Sequence, residues 1–420
     1  MKDSPPDIFE SPFFELRFLN LGIVLISLYF LFEFGSLQGL YPVIGQLNLP
    51  FVVALLTAIY AILLVIKGAV NFKSRTTKYF TIFWLFFVVY TSISTKGNLV
   101  KEDVVKLAII YWSNYIVIIS SIKNKSQFVL LIDIWLVAVL FSCYHASMQG
   151  GLVWGNRWLK DENHISLVAA TAFPFALIFF VVHKSKIKKM CYGLCLFGYA
   201  TANIIAHSRG GALSLGLALI LCMVVLKHKF RNLIIISALI IVGLHYAPPA
   251  FFQEMATLEL GTHEETADDR IYLWRIALNM FTDHPLLGVG PMNYPAYFAS
   301  YEKGIRYSGG GRVAHSTPIQ YLAETGIIGI IIFGLFQISL FRNWWGIVLS
   351  NDVHANKVSE NGDPNYVLLL THACIISQIA FHFGALFLTL LPYPFYWCLV
   401  PFSEAWKKIG RAERLSTKDQ

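Results

Sequence analysis

The stretch MCYGLCLFGYATANIIAHSRGGALSLGLALILCMVVL, residues 190–226, decides the fold. It holds two apolar runs, 190–206 and 210–226, each close to the roughly 17–25 residues that a helix needs to cross the hydrocarbon core of a bilayer. Only His207, Ser208 and Arg209 separate them, which leaves no room for a soluble connection. Similar runs recur at 18–34, 50–66, 79–94, 107–121, 127–144, 165–182, 232–247, 317–341, 366–383 and 385–402. Together they predict an all-α polytopic membrane protein with about twelve transmembrane helices.

Composition agrees, with 56% hydrophobic residues, 14% charged residues and a mean hydropathy of +0.58. Such a balance suits lipid as the solvent. In a soluble chain the net charge of +8 would raise the question of nucleic acid. Here the basic residues sit in short loops between apolar runs, so they are topology signals, and no nucleic-acid partner is expected. The cysteines, Cys143, Cys191, Cys195, Cys222, Cys374 and Cys398, all fall within apolar runs and read as packing residues. Ahead of the first run, Asp3, Asp7, Glu10 and Glu15 outnumber Lys2 and Arg17, so the first helix is expected to stay in place and not to be cleaved.

Placing the N-terminus in the cytoplasm puts 22 of the 33 Lys and Arg on that side. Five of the other eleven lie in a single long loop, and long loops cross membranes regardless of charge. Both termini are then cytoplasmic. The chain divides into helices one to nine (1–247), an outer loop (248–316), and helices ten to twelve with a basic tail (317–420). No fixed-period repeat is present. Within the loop, Thr266 and Asp269 form a capping-box pattern, Ile271, Trp274 and Leu278 recur at helical spacing, and Pro285 follows. This predicts an amphipathic helix lying on the membrane domain or its interface. Gly288, Gly290 and Pro291 predict a turn, and Gly309, Gly310 and Gly311 a flexible strip before Ala314-His315-Ser316.

Three residues stand out chemically. Arg209 interrupts two apolar runs where almost no loop holds it in water; it reads either as a snorkelling arginine or as an anion ligand beside glycines that permit close approach. Arg270 and Arg275 project about 140° apart on the loop helix, so one small ligand cannot engage both easily, and Arg270 also fits a surface ion pair. His315, at the mouth of the tenth span, suits proton transfer, although a lone histidine is more often structural. There is no His-Glu-x-x-His and no Asp-x-Asp, so metal-dependent chemistry is disfavoured and no cofactor is expected.

These residues fall into a recognisable pattern: Arg270-x-x-x-Trp274-x-x-Ala277, then His284-Pro285-Leu286-Leu287-Gly288-Val289-Gly290, then His315-Ser316 with Gly326-x-x-Gly329 nine residues on. From about Asn163 through Gly334, with Ser208-Arg209-Gly210 in register, the chain resembles the bacterial O-antigen ligases and their polymerase relatives. The resemblance implies a GT-C-like fold in the bacterial inner membrane with a periplasmic active site. It also implies a metal-independent inverting glycosyltransferase whose donor is a glycan on undecaprenyl pyrophosphate and whose acceptor is a sugar hydroxyl, most simply of lipid A core. Arg209 and Arg270 would then stabilise the pyrophosphate leaving group, and His315 would be the general base. Arg275, Arg312, Asn163 and Lys96 are further candidates for phosphate or sugar contacts, Arg312 as a possible substitute for Arg270. The polyprenyl tail would lie against apolar helix faces, in contact with membrane lipid. A polymerase would differ only in its acceptor, another lipid-linked glycan. A transporter is the rival from another class, but its halves should look alike and here they differ.

Overall fold

The computed structural model describes residues 19–94, 98–156, 158–226, 234, 237, 241, 249–256, 265–304, 306–307, 311–358, 366–390 and 393–416. Among them every regular element is helical. The expected ninth run, 232–247, falls almost wholly outside these residues, as do Lys96, Gly309 and Gly310.

The expected apolar runs up to residue 226 coincide with helices: α1 (Leu21–Glu33), α2 (Leu49–Ile66), α3 (Arg75–Ser94), α4 (Asn98–Ser121), α5 (Lys125–Met148), α6 (Glu162–Val182), α7 (Lys186–Ile205) and α8 (Arg209–Val225). The long loop contributes α9 (Glu265–Asp283) and α10 (Tyr294–Glu302), and the C-terminal part α11 (Thr317–Val358), α12 (Tyr366–Ala385) and α13 (Val400–Ser416). Six of the described helices contain stretches long and apolar enough to cross a membrane: Leu49–Ile66, Val100–Ser121, Lys125–Met148, Glu162–Val182, Thr317–Leu349 and Val367–Ala385. The chain is a multi-pass membrane protein.

Two helices show why the interior and the periphery differ. Helix α6 is apolar on every side and is buried continuously from Ile165 to Phe179, with α7, α8 and α12 packed around it. A helix hydrophobic all round belongs at the centre of a bundle. Helix α2 is just as apolar but buries only Val53, Thr57 and Ala61, one stripe at a spacing of four. Phe51 at 66% and Ile66 at 76% exposure leave a surface that only lipid would cover favourably. Helix contacts are close where small residues meet: a Cβ on Gly211 in α8 would lie 1.9 Å from Ser166 Oγ in α6.

The structure corrects three sequence expectations. Residues 385–402 do not form one span. The chain turns after Ala385, makes a short helix at Pro394–Trp397 and resumes as α13, whose apolar face (Val400, Phe402, Ala405, Trp406, Ile409) enters the core. Pro394 and Pro401 set the starts of these two pieces, since proline is tolerated in a first helical turn but not in a helix interior. Helix α9 is already helical at Glu265, so Thr266 lies within it and not ahead of it, and Asp269 pairs with Arg306, at 2.8 Å. Its buried face is Leu273, Ile276, Ala277 and Met280, whereas Leu278 is 45% exposed. The reason is a second layer: α9 packs against α10 and the start of α11, which cover the Leu273 side.

Helix α11 bends at Gly326, where φ is 60° and ψ −163°. The loop after α9 docks into this bend: Val289 N donates to Ala323 O, Gly290 N to Glu324 O, Ile327 N to Pro285 O and Ile328 N to Leu286 O, all at 2.8–3.1 Å. Buried Glu324 accepts from the backbone N–H of Met292 (2.9 Å) and of Tyr294 (3.1 Å), and Tyr90 of α3 donates to Gly288 O. The expected Gly288–Gly290 turn is thus present, and it fastens the loop layer to the bundle.

Candidate functional site

His315 occupies the segment between the loop layer and α11, with φ at 49°. Non-glycine residues seldom adopt this left-handed conformation, and it persists where the surroundings over-determine it. Here both backbone groups of Ala314, the preceding residue, are held: its N–H donates to Gln320 Oε1 and its carbonyl accepts from Trp274 Nε1, each at 2.9 Å. On the other side Thr317 donates to Leu388 O at 2.5 Å. The Trp274 and Ala277 of the sequence pattern are thereby explained, one as the strut for His315 and the other as a buried contact of α9.

The imidazole lines a cavity of about 280 Å³ at this end of the bundle. Its lining combines polar and aromatic groups, Asp161, His164, His315, Gln320, Glu324, Thr389, Trp158 and Tyr393, with an apolar set that includes Trp84, Phe87 and Leu107. Burial pushes the His315 pKa below its ordinary value; Arg270 adds to this, Asp161 opposes it, and Arg312 lowers it further. The imidazole is accordingly held in its neutral, proton-accepting form near pH 7.

The sequence candidates separate into groups. Arg270 and Arg312 act on His315, and Arg312 also stacks over Tyr307, 4.6 Å from its ring centre. Asn163 is tied to the cavity wall: its backbone N–H and its Nδ2 both donate to Asp161 Oδ1, at 2.8 and 2.9 Å. Ser208, the N-cap of α8, donates to Asn163 Oδ1 at 2.7 Å and accepts from Gly211 N at 3.0 Å. Arg209 is therefore the first helical residue beyond a hydrogen-bonded chain that starts at the cavity, while Gly210 packs on Phe387, next to the cavity residue Leu388. Arg275 is exposed on α9, and the charges that act on His315 come from its neighbours, as the 140° separation from Arg270 implies. Lys96 lies outside the described residues.

Sequence reasoning missed Asp161, His164 and Tyr393. Asp161 looks like an ordinary N-cap, and it is one, accepting from Asn163 N. The available signal was density: Asp161, Asn163 and His164 crowd one helix start beside the Ser208–Arg209 break. Tyr393 sits between Pro392 and Pro394 in a run that reads as lipid-spanning, so its place in a cavity lining was hidden.

Comparison with known proteins adds two findings. Residues 192–334 match the family model described as O-Antigen ligase. This span contains Arg209, Arg270, Arg275, Arg312 and His315, and stops short of Asp161 and Asn163. The chain is also similar to the exopolysaccharide production protein ExoQ of Rhizobium meliloti (strain 1021), 22% identical over 308 residues, which is 67% of this chain and 70% of that one.

Proposed function

We propose that the chain is a glycosyltransferase of the O-antigen ligase/polymerase superfamily that moves a glycan from undecaprenyl pyrophosphate to a sugar hydroxyl; the match of residues 192–334 to the O-Antigen ligase family model supports this. The observation that carries this reading is a histidine in a cavity lining, its pKa lowered by burial and by Arg270 and Arg312 of the loop layer. The acceptor oxygen attacks the donor's anomeric carbon from the face opposite the leaving group, so the configuration inverts. As the C–O bond to phosphate breaks, its electron pair passes to the pyrophosphate oxygen. Arg270, with Arg312 and Arg209 as further cations, stabilises that charge in place, as preorganised guanidinium groups do in partly dry sites. The hydroxyl proton goes to the free nitrogen of His315 and from there to water. General-base assistance of this kind contributes typically about 10² to 10⁴ in rate. No metal is required by this scheme.

In this reading the His315 end of the bundle faces the periplasm, the termini are cytoplasmic, and the fold is of the GT-C kind in the inner membrane. The favoured acceptor is lipid A core, which makes the protein an O-antigen ligase. A second reading is supported by the match to an exopolysaccharide production protein across two thirds of the chain: a polymerase that extends a lipid-linked glycan. Incubating purified protein with lipid-linked glycan, with and without lipid A core, separates the two. A ladder formed only when core is present supports the ligase. Elongation without core supports the polymerase, and no new glycosidic bond under either condition rejects both.

A further inference from the structure

The cavity lining carries features that the transfer chemistry does not use. The Tyr393 ring lies between two others, 5.0 Å from Trp158 at 55° and 4.6 Å from His164 at 45°. All three line the cavity, beside Asp161, Gln320 and Thr389. We propose that this aromatic corner with Asp161 is the subsite for the acceptor sugar, binding the pyranose ring that presents its hydroxyl to His315; the inference rests on the glycan-transfer reading.

Chemistry favours a sugar over the other parts of the substrates. A pyranose has a face of C–H groups that lies against aromatic rings and a rim of hydroxyls that needs acceptors and donors, and the corner offers both within one cavity. A pyrophosphate is repelled by the Asp161 carboxylate, so the space beside Asp161 suits a neutral polyol and the donor phosphates keep to the arginines. The Asp161 carboxylate is oriented before any ligand arrives, because its Oδ1 is engaged twice by Asn163. A carboxylate accepts up to about four hydrogen bonds, so capacity remains for sugar hydroxyls.

The corner is also rigid, which reduces the entropy lost on binding. Buried Asn156 organises the Trp158 loop: its Oδ1 accepts from Trp158 N at 2.8 Å and Leu159 N at 3.1 Å. Its Nδ2 donates to Glu33 O at 2.9 Å and Ser36 Oγ at 2.7 Å, anchoring the loop to the end of α1. Tyr393 has prolines on both sides, and its N–H donates to Leu390 O at 2.9 Å.

The test measures initial transfer rates of the purified full chain while acceptor and donor are varied separately, for wild type, Trp158→Ala, Trp158→Phe, Tyr393→Ala and Asp161→Asn. Direct binding to the same proteins is measured by calorimetry, using delipidated lipopolysaccharide core oligosaccharide and the repeating-unit oligosaccharide released from lipid-linked glycan. Aromatic contacts of this kind are worth about two- to tenfold in binding. The acceptor KM should rise by roughly that factor for each alanine variant, by less for Trp158→Phe, with the donor KM unchanged and a matching weakening of oligosaccharide binding. A raised donor KM with an unchanged acceptor KM overturns the assignment, and so does unaltered oligosaccharide binding in folded variants. Wild type that transfers normally while Trp158→Phe and both alanine variants keep their acceptor KM rejects the subsite alone. Wild type that binds oligosaccharide through this corner yet forms no bond rejects the transfer reading and leaves the subsite standing.

Discussion

Substituting Gly326 by alanine tests the joint between loop layer and bundle. At φ 60° and ψ −163° the residue occupies a region that is essentially glycine's alone, where a side chain costs about 1–3 kcal/mol. The added Cβ would also lie 2.5 Å from the carbonyl carbon and oxygen of Leu286 and 2.6 Å from Leu287 N. These are backbone atoms that cannot rotate aside, and forcing such a contact costs roughly another 1–3 kcal/mol. The total, about 2–6 kcal/mol, is no larger than the roughly 2–6 kcal/mol that the four backbone bonds across the bend contribute together, at about 0.5–1.5 kcal/mol each. The loop should therefore shift and not detach. A shift of about 1 Å at Ala314 suffices to misplace His315, and misplacement on that scale can cost about a hundredfold in rate. Two measurements on purified Gly326→Ala check this: transfer rate, and hydrogen exchange at Val289 and Gly290, whose amides bond across the bend. Expected are a loss of at least about tenfold in rate and faster exchange at both amides. Gly334→Ala is the control on the same helix, since its Cβ meets nothing within 4 Å, and it should behave as wild type. Wild-type rate and exchange in Gly326→Ala would refute the argument.

Three shorter predictions follow from the site. His315→Ala should lower kcat by about a hundredfold or more while donor still binds, as for loss of a general base; a smaller loss in a steady-state assay would make His315 a positioning residue. Arg270 holds the His315 pKa down, so Arg270→Gln should raise it towards its ordinary value. Protonated histidine is inactive as a base, so the acid limb of kcat/KM should move to higher pH in that variant, together with a large drop in rate; an acid limb at unchanged or lower pH contradicts the assigned interaction. After replacement of the exposed Cys191 by serine, a cysteine at exposed Ser300 should react with an impermeant reagent on intact cells and one at exposed Lys186 should not; the reverse pattern would invert the topology.

The bundle was largely legible because apolar runs of helical length report burial in lipid or protein without distinguishing the two, and either gives a helix. The last pass was not, because Leu388, Tyr393 and Trp397 carry the same apolar signal whether they face lipid, a cavity or a core. In α9 the stripe Ile271–Trp274–Leu278 and the stripe Leu273–Ile276–Ala277–Met280 are both apolar, and only the partner helices decide between them. For the site, Arg270 and His315 were visible as charges in unusual places. Asp161 was not, since it shares the cavity with His315 across 154 positions of sequence and leaves no periodicity to read.

The break at Pro394–Trp397 places Trp397 against Phe83 (5.1 Å), Trp84 (4.8 Å), Tyr111 (5.9 Å) and Phe336 (6.0 Å). Phe80 adds a second tier, stacked on Tyr115 at 4.3 Å and edge-on to Trp397 at 5.9 Å. Trp84 is at once part of this group and a lining residue of the cavity. The cavity at His315 thus adjoins, through Trp84, a group of interlocked rings. An ion moving among these rings would have to shed most of its hydration, for which a few indole N–H and phenol groups are a poor replacement. Beyond its part in packing, the ring layer beside the cavity is therefore a low-dielectric barrier to ions.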